Sequence, residues 1–314
     1  MSSFIAIDVG GTQMRVGLYG EQGVTSQKLA RISTKSSEGT AIERLIDLVA
    51  SLWPENDPVA AIGIAAPGPI DPEKGIIFAA PNIPGWFDLP LRQIIEDRFH
   101  TPVSLGNDAN LAAVGEWKYG AGQGHSNLLY ITISTGIGGG VICDNRLLLG
   151  AEGLAAEVGH MIVEPNGPIC GCGRRGHLEA VASGTAIARY IAEELAKGRE
   201  SILKSTPLPT AKDASFAAEQ GDELAIEALT RAGQYMGIGL VNFLHIFNPS
   251  IIILGGGVSR AGKYYMEPMH AAIHNSVISP QYLHNLVVTP AALGDDAGLL
   301  GALALARTSR QEVL

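Results

Sequence analysis

Apolar and polar residues alternate on both sides of a glycine turn near the N-terminus. Residues 4–20, FIAIDVGGTQMRVGLYG, therefore predict a strand, a turn at Gly10 and Gly11, and a second strand. Residues 128–149, LLYITISTGIGGGVICDNRLLL, repeat this design and add a third strand after an Asp-Asn turn. Two copies of one supersecondary unit predict a duplicated domain, although two unrelated glycine hairpins would give the same pattern.

Helical periodicity and buried apolar runs follow one another along the rest of the chain. Apolar residues at helical spacing predict helices within 40–53, 101–120, 183–198, 222–247 and 295–309. Continuous apolar runs that end in glycine predict buried strands within 59–71 and 249–262. This succession of strands and helices predicts the α/β class.

No linker-like stretch divides the chain. The glycine cluster YGAGQG at 119–124 is the best candidate for a hinge. We therefore expect a small α/β lobe over 1–118, with the C-terminal helix 297–314 packing back on it, and a large α/β lobe over 119–296.

Composition limits the class of protein. The 314 residues are 46% hydrophobic and 17% charged, which is enough to bury the cores of two domains. The net charge of -9 argues against general nucleic-acid binding, which needs a basic face. No stretch approaches the ~20 apolar residues that span a bilayer, and the N-terminal MSSFIAIDVGG lacks the basic region of a signal peptide. We therefore predict a cytoplasmic protein with neither a nucleic-acid nor a membrane partner.

Three glycine turns follow predicted strands: DVGGT at 8–12, STGIGGG at 134–140 and LGGGVS at 254–259. Such turns leave backbone N–H groups free to bind phosphate, although a tight hairpin also needs glycine. Neither a Walker loop nor a dinucleotide-binding G-x-G-x-x-G at a helix start occurs. The three turns together favour a nucleotide site of another kind, where Asp8 either holds Mg²⁺ through water or caps its turn.

Two pairs of polar residues have both a structural and a functional interpretation. Asn107 and Asp108 suit a helix N-cap, but they also follow a strand of an α/β sheet, where ligand crevices lie. Glu157 and His160 are three residues apart, so they either converge on a site or form a solvated face.

The chain has three cysteines, which are too few for a disulfide framework. Cys143, in a predicted strand, is expected to be a buried small apolar residue. Cys170 and Cys172 are separated by one glycine. A disulfide this short is strained, and a redox motif needs C-x-x-C. The alternatives for this pair are a metal site and a plain glycine-rich turn.

The motifs in combination resemble a known superfamily. DVGGT, STGIGGG and LGGGVS, in this order, are similar to the phosphate and adenosine motifs of the actin/hexokinase/Hsp70 ATPases. Within that superfamily, GLAAEVGHM followed by CGCGRRGHLE resembles the ROK family of repressors, open reading frames and kinases. The resemblance extends over essentially the whole chain. It implies a duplicated actin-like ATPase (ribonuclease H-like) α/β fold with two lobes around a central cleft.

The resemblance also implies ligand contacts. ATP would be bound by Asp8, Gly10, Gly11, Thr12, Thr135, Gly136, Gly138, Gly256 and Gly257, with Mg²⁺ held at Asp8 through water. The sugar would be bound by Gly68, Asn82, Asn107, Asp108, Glu157, His160 and Glu179, with Asp108 as the catalytic base. Trp86, beside these loops, is expected to pack in the interior.

A structural zinc ion is the third implied ligand. Its candidate ligands are His160, Cys170, Cys172 and His177, all within the loop 160–177. ROK proteins usually have a third cysteine where this chain has His177. Because histidine is itself a normal zinc ligand, the site can still close.

The resemblance implies an ATP-dependent hexose kinase, and the cysteine–histidine run favours phosphorylation of the 6-hydroxyl of glucose. An N-acetylmannosamine kinase is the nearest alternative, and polyphosphate is a possible phosphoryl donor. A sugar-responsive ROK repressor is disfavoured, because Asp8 leaves no room for a preceding helix-turn-helix and the charge is acidic. An Hsp70-like or actin-like ATPase would have no use for the cysteine–histidine run. A homodimer or homotetramer is expected.

Overall fold

The computed structural model describes residues 2–55 and 57–308. They form two compact units. The first comprises the described residues of Met1–Tyr130, Gly140–Ala156 and Ala291–Leu314, and the second comprises Ile131–Gly139 and Glu157–Pro290. This division differs from the predicted lobes, because 119–130, 140–156 and 291–296 fall in the first unit. The assignment of functional lobes and of a hinge at 119–124 stays a prediction.

The strands and helices follow the chain in order. The strands are β1 (Ser3–Val9), β2 (Gln13–Tyr19), β3 (Lys28–Ser33), β4 (Val59–Ala66), β5 (Ile70–Asp71), β6 (Ile76–Ala79), β7 (Phe87–Leu89), β8 (Val103–Asn107), β9 (Leu128–Ile133), β10 (Ile137–Cys143), β11 (Arg146–Leu147), β12 (Ile251–Gly255) and β13 (Val287–Pro290). The helices are α1 (Ala41–Leu52), α2 (Leu91–Phe99), α3 (Asp108–Tyr119), α4 (Leu178–Ala182), α5 (Gly184–Ala196), α6 (Ala211–Glu219), α7 (Glu223–Phe247), α8 (Lys263–Ser276) and α9 (Ala297–Arg307).

The sheet topology confirms the predicted duplication. One five-stranded sheet has the order β3-β2-β1-β4-β8 and the other the order β11-β10-β9-β12-β13. In each sheet, the strand that comes first along the chain lies at the centre. The second and third strands lie on one side of it, and the fourth and fifth lie on the other. In the first sheet β1, β2 and β3 pair antiparallel, whereas β4 and β8 join in parallel. Strands β5, β6 and β7 form a separate small sheet that the hydrophobic pattern does not predict.

The predicted helices begin at capping residues. Thr40 forms a capping box with Glu43 at the start of α1, and Ser183 and Asp222 cap α5 and α7 through their side chains. Side-chain oxygens at these positions satisfy N–H groups that have no partner inside the helix. Within the described residues the last helix ends at Arg307, and the part of the predicted C-terminal helix at 309–314 lies outside them.

In the first unit, helices pack on both faces of the sheet. Apolar side chains of its strands form one core with α1 and α2, while α9 packs on the opposite face and crosses α3 closely. A β-carbon at Gly301 of α9 would lie only 1.7 Å from the Leu111 carbonyl oxygen of α3, so glycine is required at this crossing. The crossing fixes the starts of both helices, where Asp108 and Asp296 lie.

Among the described residues, no helix is both long enough and apolar enough to cross a bilayer. All three cysteines are free. The prediction for Cys143 is wrong in one respect: it is only half-buried, because it ends β10 at the turn formed by Asp144 and Asn145, both of which have positive φ.

Candidate active site

The first glycine turn connects β1 and β2 in the first unit. The Gly10 N–H donates to the Gln13 carbonyl over 2.9 Å and closes the hairpin. Thr34 holds the turn from the side: its hydroxyl donates to the Gly10 carbonyl at 2.6 Å and its N–H to the Thr12 carbonyl at 2.9 Å. The predicted ATP contacts of this unit, Asp8, Gly10, Gly11 and Thr12, all line one hollow of about 720 Å³.

Asp8 is paired with a cation that the sequence analysis missed. Arg15 lies directly opposite Asp8 in the β1–β2 register. Its Nη2 and Nε atoms donate to Asp8 Oδ2 over 2.6 and 3.2 Å. Burial raises the pKa of the Asp8 carboxyl above its ordinary value, and Arg15 opposes that rise. The hairpin register would have revealed Arg15, since a tight turn at Gly10 and Gly11 fixes which residues face each other.

Asn107 and Asp108 form the start of α3. The Asn107 side-chain oxygen accepts from the Ala109 and Asn110 N–H groups over 3.0 and 3.2 Å, which confirms the N-cap. Its side-chain nitrogen donates to the Gly68 carbonyl over 3.3 Å. Asp108 is half-buried, and its Oδ1 accepts from the Ala109 N–H over 2.8 Å. The helix N-terminus thus holds the carboxylate in one orientation and favours its negative charge.

The predicted sugar-side loops of this unit also have defined positions. Asn82 is exposed and lies against the first glycine turn: a β-carbon at Gly11 would be 3.1 Å from that of Asn82. Trp86 is 2% exposed, which confirms its packing role. The Gly68 carbonyl accepts from the Asn107 side chain.

The second and third glycine turns meet in the second unit. Thr135 and Gly257 line one cavity of about 660 Å³, whereas Gly136, Gly138 and Gly256 belong to the same two turns without lining it. The start of α5 fixes the wall of this cavity. The Gly184 N–H donates to the Ser134 carbonyl over 2.8 Å and the Thr185 hydroxyl to the Thr135 carbonyl over 2.7 Å. The volume is typical of a small-molecule site.

Helix α6 supplies a further wall that the sequence analysis missed. Its lining residues are Ala211, Lys212, Ser215, Phe216 and Glu219, which share one face of the helix. Phe216 is 55% exposed, and the Lys212 ammonium lies 5.9 Å from its ring centroid. An exposed aromatic ring in a mostly apolar pocket suits the flat face of a nucleobase. No motif marks this helix, so only the fold could bring it to the glycine turns.

The four candidate zinc ligands converge in the second unit. One donor atom from each of His160, Cys170, Cys172 and His177 lies within 4.8 Å of all the others. The two histidine Nδ1 atoms are 3.2 Å apart, and the Cys172 and Cys170 sulfurs lie 3.3 and 3.8 Å from the Nδ1 atoms of His177 and His160. A tetrahedral zinc ion with bonds of about 2.0 Å to nitrogen and 2.3 Å to sulfur needs donors about 3.3–3.8 Å apart. The donor set therefore fits zinc, with His177 as a member.

The electrostatics of the cluster suit a metal. Burial, aided by the nearby His160, lowers the pKa of His177, so its imidazole is kept neutral. Burial also raises the pKa of Cys170 to about 11, and its sulfur lies 3.4 Å from Glu179 Oε1. A neutral imidazole is the form that binds zinc, and a bound cation would supply the charge that turns the thiol into a thiolate.

The EVGH segment lies against β10. A β-carbon at Gly159 would be 2.0 Å from the Ile137 carbonyl oxygen, so only glycine allows this approach. His160 uses Nδ1 in the cluster, which leaves Nε2 on the other side of the ring, 3.9 Å from Glu157 Oε2. Glu157 and His160 both remain partly exposed. The two predicted sugar contacts therefore converge, as the three-residue spacing allowed.

Glu179 connects this cluster to the second glycine turn. Its Oε2 accepts from the Ile137 N–H over 3.0 Å. A β-carbon at Gly136 would lie 2.3 Å from the same oxygen. Glu179 thus touches Cys170 with one oxygen and the glycine turn with the other. Within one unit, the predicted sugar-binding acid is in direct contact with the predicted phosphate-binding segment.

Backbone bonds hold the cysteine loop independently of any metal. The Val163 and Leu178 N–H groups donate to the Gly176 and Met161 carbonyls over 2.9 Å each, and Cys170 N–H donates to the Arg174 carbonyl over 2.7 Å. These bonds place His177 at the N-cap of α4, two residues before Glu179. The loop therefore has a defined backbone conformation, and it leads directly into α4, the helix that carries Glu179.

A duplicated α/β sheet with glycine turns at its strand ends is typical of the actin-like ATPase class, and this chain adds a Cys₂His₂ cluster to it. The ROK family model matches residues 4–309, and the chain belongs to this family. Both the predicted fold class and the predicted family are confirmed.

Relatives named as glucokinases cover nearly the whole chain. The glucokinase of Thermotoga maritima is 39% identical over 96% of each chain. A ROK family glucokinase from Streptomyces griseus, solved in complex with glucose and AMPPNP, is 37% identical, covers 98% of this chain and 100% of its own, and superposes with a TM-score of 0.81.

Repressors of the family are also similar. The xylose repressor of Caldicellulosiruptor bescii is 31% identical over 97% of this chain but only 78% of its own. Family membership therefore does not by itself separate a kinase from a sugar-binding regulator, and the separation depends on the site.

Proposed function

We propose that this chain is an ATP-dependent kinase that phosphorylates the 6-hydroxyl of glucose. The observation that carries the proposal is Glu179. This candidate sugar ligand accepts a hydrogen bond from Ile137 in the second glycine turn, so sugar-binding and phosphate-binding groups are in contact within one unit. The kinship with glucokinases supports the same conclusion.

The phosphoryl donor is ATP. Its adenosine would occupy the 660 Å³ cavity against Phe216, with phosphates at the glycine turns that include Thr135, Gly136, Gly138, Gly256 and Gly257. Mostly apolar walls suit a nucleobase, whereas a polyphosphate chain has no group to place there. The proposal also assigns phosphate and magnesium contacts to Asp8 and the turn Gly10–Thr12, which line the hollow of about 720 Å³.

On the sugar side of the proposed site, hydrogen-bonding residues recognise the hydroxyl groups of the sugar. Glu157 and Glu179 accept from sugar hydroxyls, and His160 donates through Nε2 while Nδ1 faces the metal cluster. The proposal also assigns sugar contacts to Gly68, Asn82 and Asn107. A site built on such bonds strongly disfavours sugars that lack one hydroxyl.

Asp108 is the catalytic base of the proposal. Because phosphoryl transfer depends mainly on positioning and charge neutralisation, the carboxylate orients the 6-hydroxyl towards the γ-phosphate and accepts its proton late in the transfer. Its fixed orientation at the start of α3 supports this role.

Two metal ions belong to the proposal. Magnesium would neutralise phosphate charge beside Asp8, whose Oδ1 is not used by Arg15, and one carboxylate together with phosphates is a usual magnesium environment. Zinc would be structural, held by His160, Cys170, Cys172 and His177, and would fix the ring of His160 and the start of α4.

A panel of hexoses and donors tests the function. Purified chain should show its highest kcat/KM with glucose and ATP, measured by coupling ADP release or sugar phosphate formation to a dehydrogenase. Preference for N-acetylmannosamine would establish the nearest alternative, and preference for polyphosphate would correct the donor. Turnover of none of these sugars would overturn the kinase proposal.

The repressor alternative has its own test. A kinase of this kind should not retard promoter DNA in a gel-shift assay at physiological salt, with or without glucose. Specific retardation combined with absent turnover would favour a regulator. We also propose a cytoplasmic location and a homodimer or homotetramer. Sedimentation velocity of the purified chain would measure the oligomeric state.

A further inference from the structure

Arg15 joins three segments of the first unit. Besides its two bonds to Asp8 Oδ2, its Nη1 donates to Asp296 Oδ1 over 3.0 Å and its Nη2 to the Asp295 carbonyl. Its side chain is only 16% exposed. The guanidinium therefore ties the end of β1 to the segment that leads into α9, where Asp296 lies 281 residues beyond Arg15 in the sequence. A planar fork of five donors is suited to several simultaneous acceptors in a way that a lysine is not.

A second arginine provides an internal comparison. Arg31 of β3 is the register partner of Arg15 on the neighbouring strand, and it lines the same 720 Å³ hollow. Arg31 is exposed, and within the described part of the chain it makes no ion pair. Like charges directly opposite each other on adjacent strands are unfavourable. The two arginines thus have the same charge and neighbourhood, but only Arg15 is bound to carboxylates.

The contacts of Arg15 determine the orientation of the Asp8 carboxylate. Arg15 bonds only to Oδ2. The other oxygen, Oδ1, lies against the first turn of α9, where a β-carbon at Gly298 would be 3.1 Å away. Two donors of Arg15 hold Oδ2, and Oδ1 faces the first turn of α9, so the contacts of Arg15 set the orientation of the carboxylate.

We propose that Arg15 is a positioning residue. Two of its donors bind Asp8 Oδ2, and its other contacts to Asp295 and Asp296 hold the guanidinium in place. Arg15 thereby keeps the Asp8 carboxylate in the orientation that binds magnesium-bound nucleotide. The inference rests on the proposed function. Arg15 itself is not a ligand in this scheme, since four of its five N–H donors are already used by Asp8 and the segment before α9.

Magnesium-dependent nucleotide binding tests this role of Arg15 without requiring turnover. The dissociation constant of AMPPNP is measured by calorimetry with Mg²⁺ and with EDTA, for the unchanged chain, Arg15→Ala, Arg15→Lys and the matched control Arg31→Ala. In the unchanged chain Mg²⁺ should tighten binding. Arg15→Ala should lose about ten- to a hundredfold of that tightening, the size expected for charge-assisted hydrogen bonds, while affinity in EDTA stays within a factor of about three.

The control variants separate geometry from charge. Arg15→Lys retains the charge but lacks the fork, so it should recover only part of the loss. Arg31 lines the same hollow, so Arg31→Ala is expected to lower nucleotide affinity, if at all, equally with Mg²⁺ and with EDTA, and its tightening by Mg²⁺ should match that of the unchanged chain. Equal losses of Mg²⁺-dependent tightening for Arg15→Ala and Arg31→Ala, or full Mg²⁺ dependence in Arg15→Ala, would overturn the inference while leaving the kinase proposal intact. If Arg15→Ala does not fold, Arg15→Lys decides by the same criterion. Absence of Mg²⁺-dependent nucleotide binding in the unchanged chain would overturn both.

Discussion

Asp108 is the residue whose replacement tests the proposed chemistry most directly. Asn at this position has the same shape and can still accept the Ala109 N–H, but it no longer takes a proton. We expect Asp108→Asn to lower kcat by about 10²- to 10⁴-fold, the usual contribution of a positioned base. Glucose affinity, measured by equilibrium binding, should change little. Asp47→Asn, on the exposed side of α1, is the matched control, and near-normal turnover of Asp108→Asn would refute the base assignment.

Gly136 gives a second test at the scale of one residue. An alanine β-carbon there would lie 2.3 Å from Glu179 Oε2 and must displace that carboxylate. We expect Gly136→Ala to raise the KM for glucose about tenfold or more, the effect of losing a charge-assisted hydrogen bond. Gly171→Ala is the control, because a β-carbon at Gly171 meets nothing within 4 Å. Steady-state kinetics at saturating ATP make the comparison, and equal KM values would argue against a sugar-binding role for Glu179.

Single residues were predictable from the sequence where the signal is local. The Asn107 cap and the approach of Glu157 to His160 depend on spacings of a few residues, and the Cys₂His₂ set lies within the single loop 160–177. The hydrogen bonds of Arg15 to Asp296 and of Ile137 to Glu179 instead depend on pairings between segments that are far apart in the sequence. No composition or period in the chain encodes such pairings, so they required the fold.

At the scale of secondary structure, Glu116 is the least expected feature of α3. It is fully buried, yet its carboxyl oxygens accept from the Ala121, Ala292 and Leu293 N–H groups over 2.9, 3.2 and 2.8 Å. These bonds attach the end of α3 to the segment that precedes α9. The backbone groups would otherwise be buried without partners, which is costly.

Replacement of Glu116 should therefore reduce stability. In Glu116→Gln one acceptor oxygen becomes a donor that faces a backbone N–H. We expect a loss of about 2–3 kcal/mol in the free energy of unfolding, measured by urea denaturation. Glu267→Gln, on an exposed position of α8, should change it by less than about 0.5 kcal/mol. Similar values for the two variants would show that the three bonds contribute little.

The elements themselves were predictable to different degrees. Helices α1, α5 and α7 combine a clear apolar period with a polar cap, so both their existence and their starts follow from the sequence. Strand β3 and the short sheet β5–β7 lack such a pattern, because half of their residues face solvent and the strands are short. Edge strands are recognised mainly by their partners, which only the assembled sheet supplies.

At the scale of the whole molecule, the metal cluster connects stability to substrate binding. His160 belongs to both the donor set and the proposed sugar site, and Glu179 follows His177 by two residues. Ligands that bind only the folded state stabilise it by mass action. Zinc should therefore raise the melting temperature and, through the position of His160, the affinity for glucose.

Cys172 provides the test, with Cys143 as its matched control. The purified chain should contain about one zinc ion per molecule by elemental analysis. Cys172→Ser removes one donor of the cluster, so it should lower the zinc content, the melting temperature and the affinity for glucose together. Cys143→Ser also replaces a thiol but lies outside the cluster, and it should leave zinc content and glucose affinity unchanged. Because none of the four donors lines the 660 Å³ cavity proposed for adenosine, the affinity for AMPPNP should survive in Cys172→Ser. A zinc-free chain that is folded and binds glucose normally would contradict the structural role of the metal.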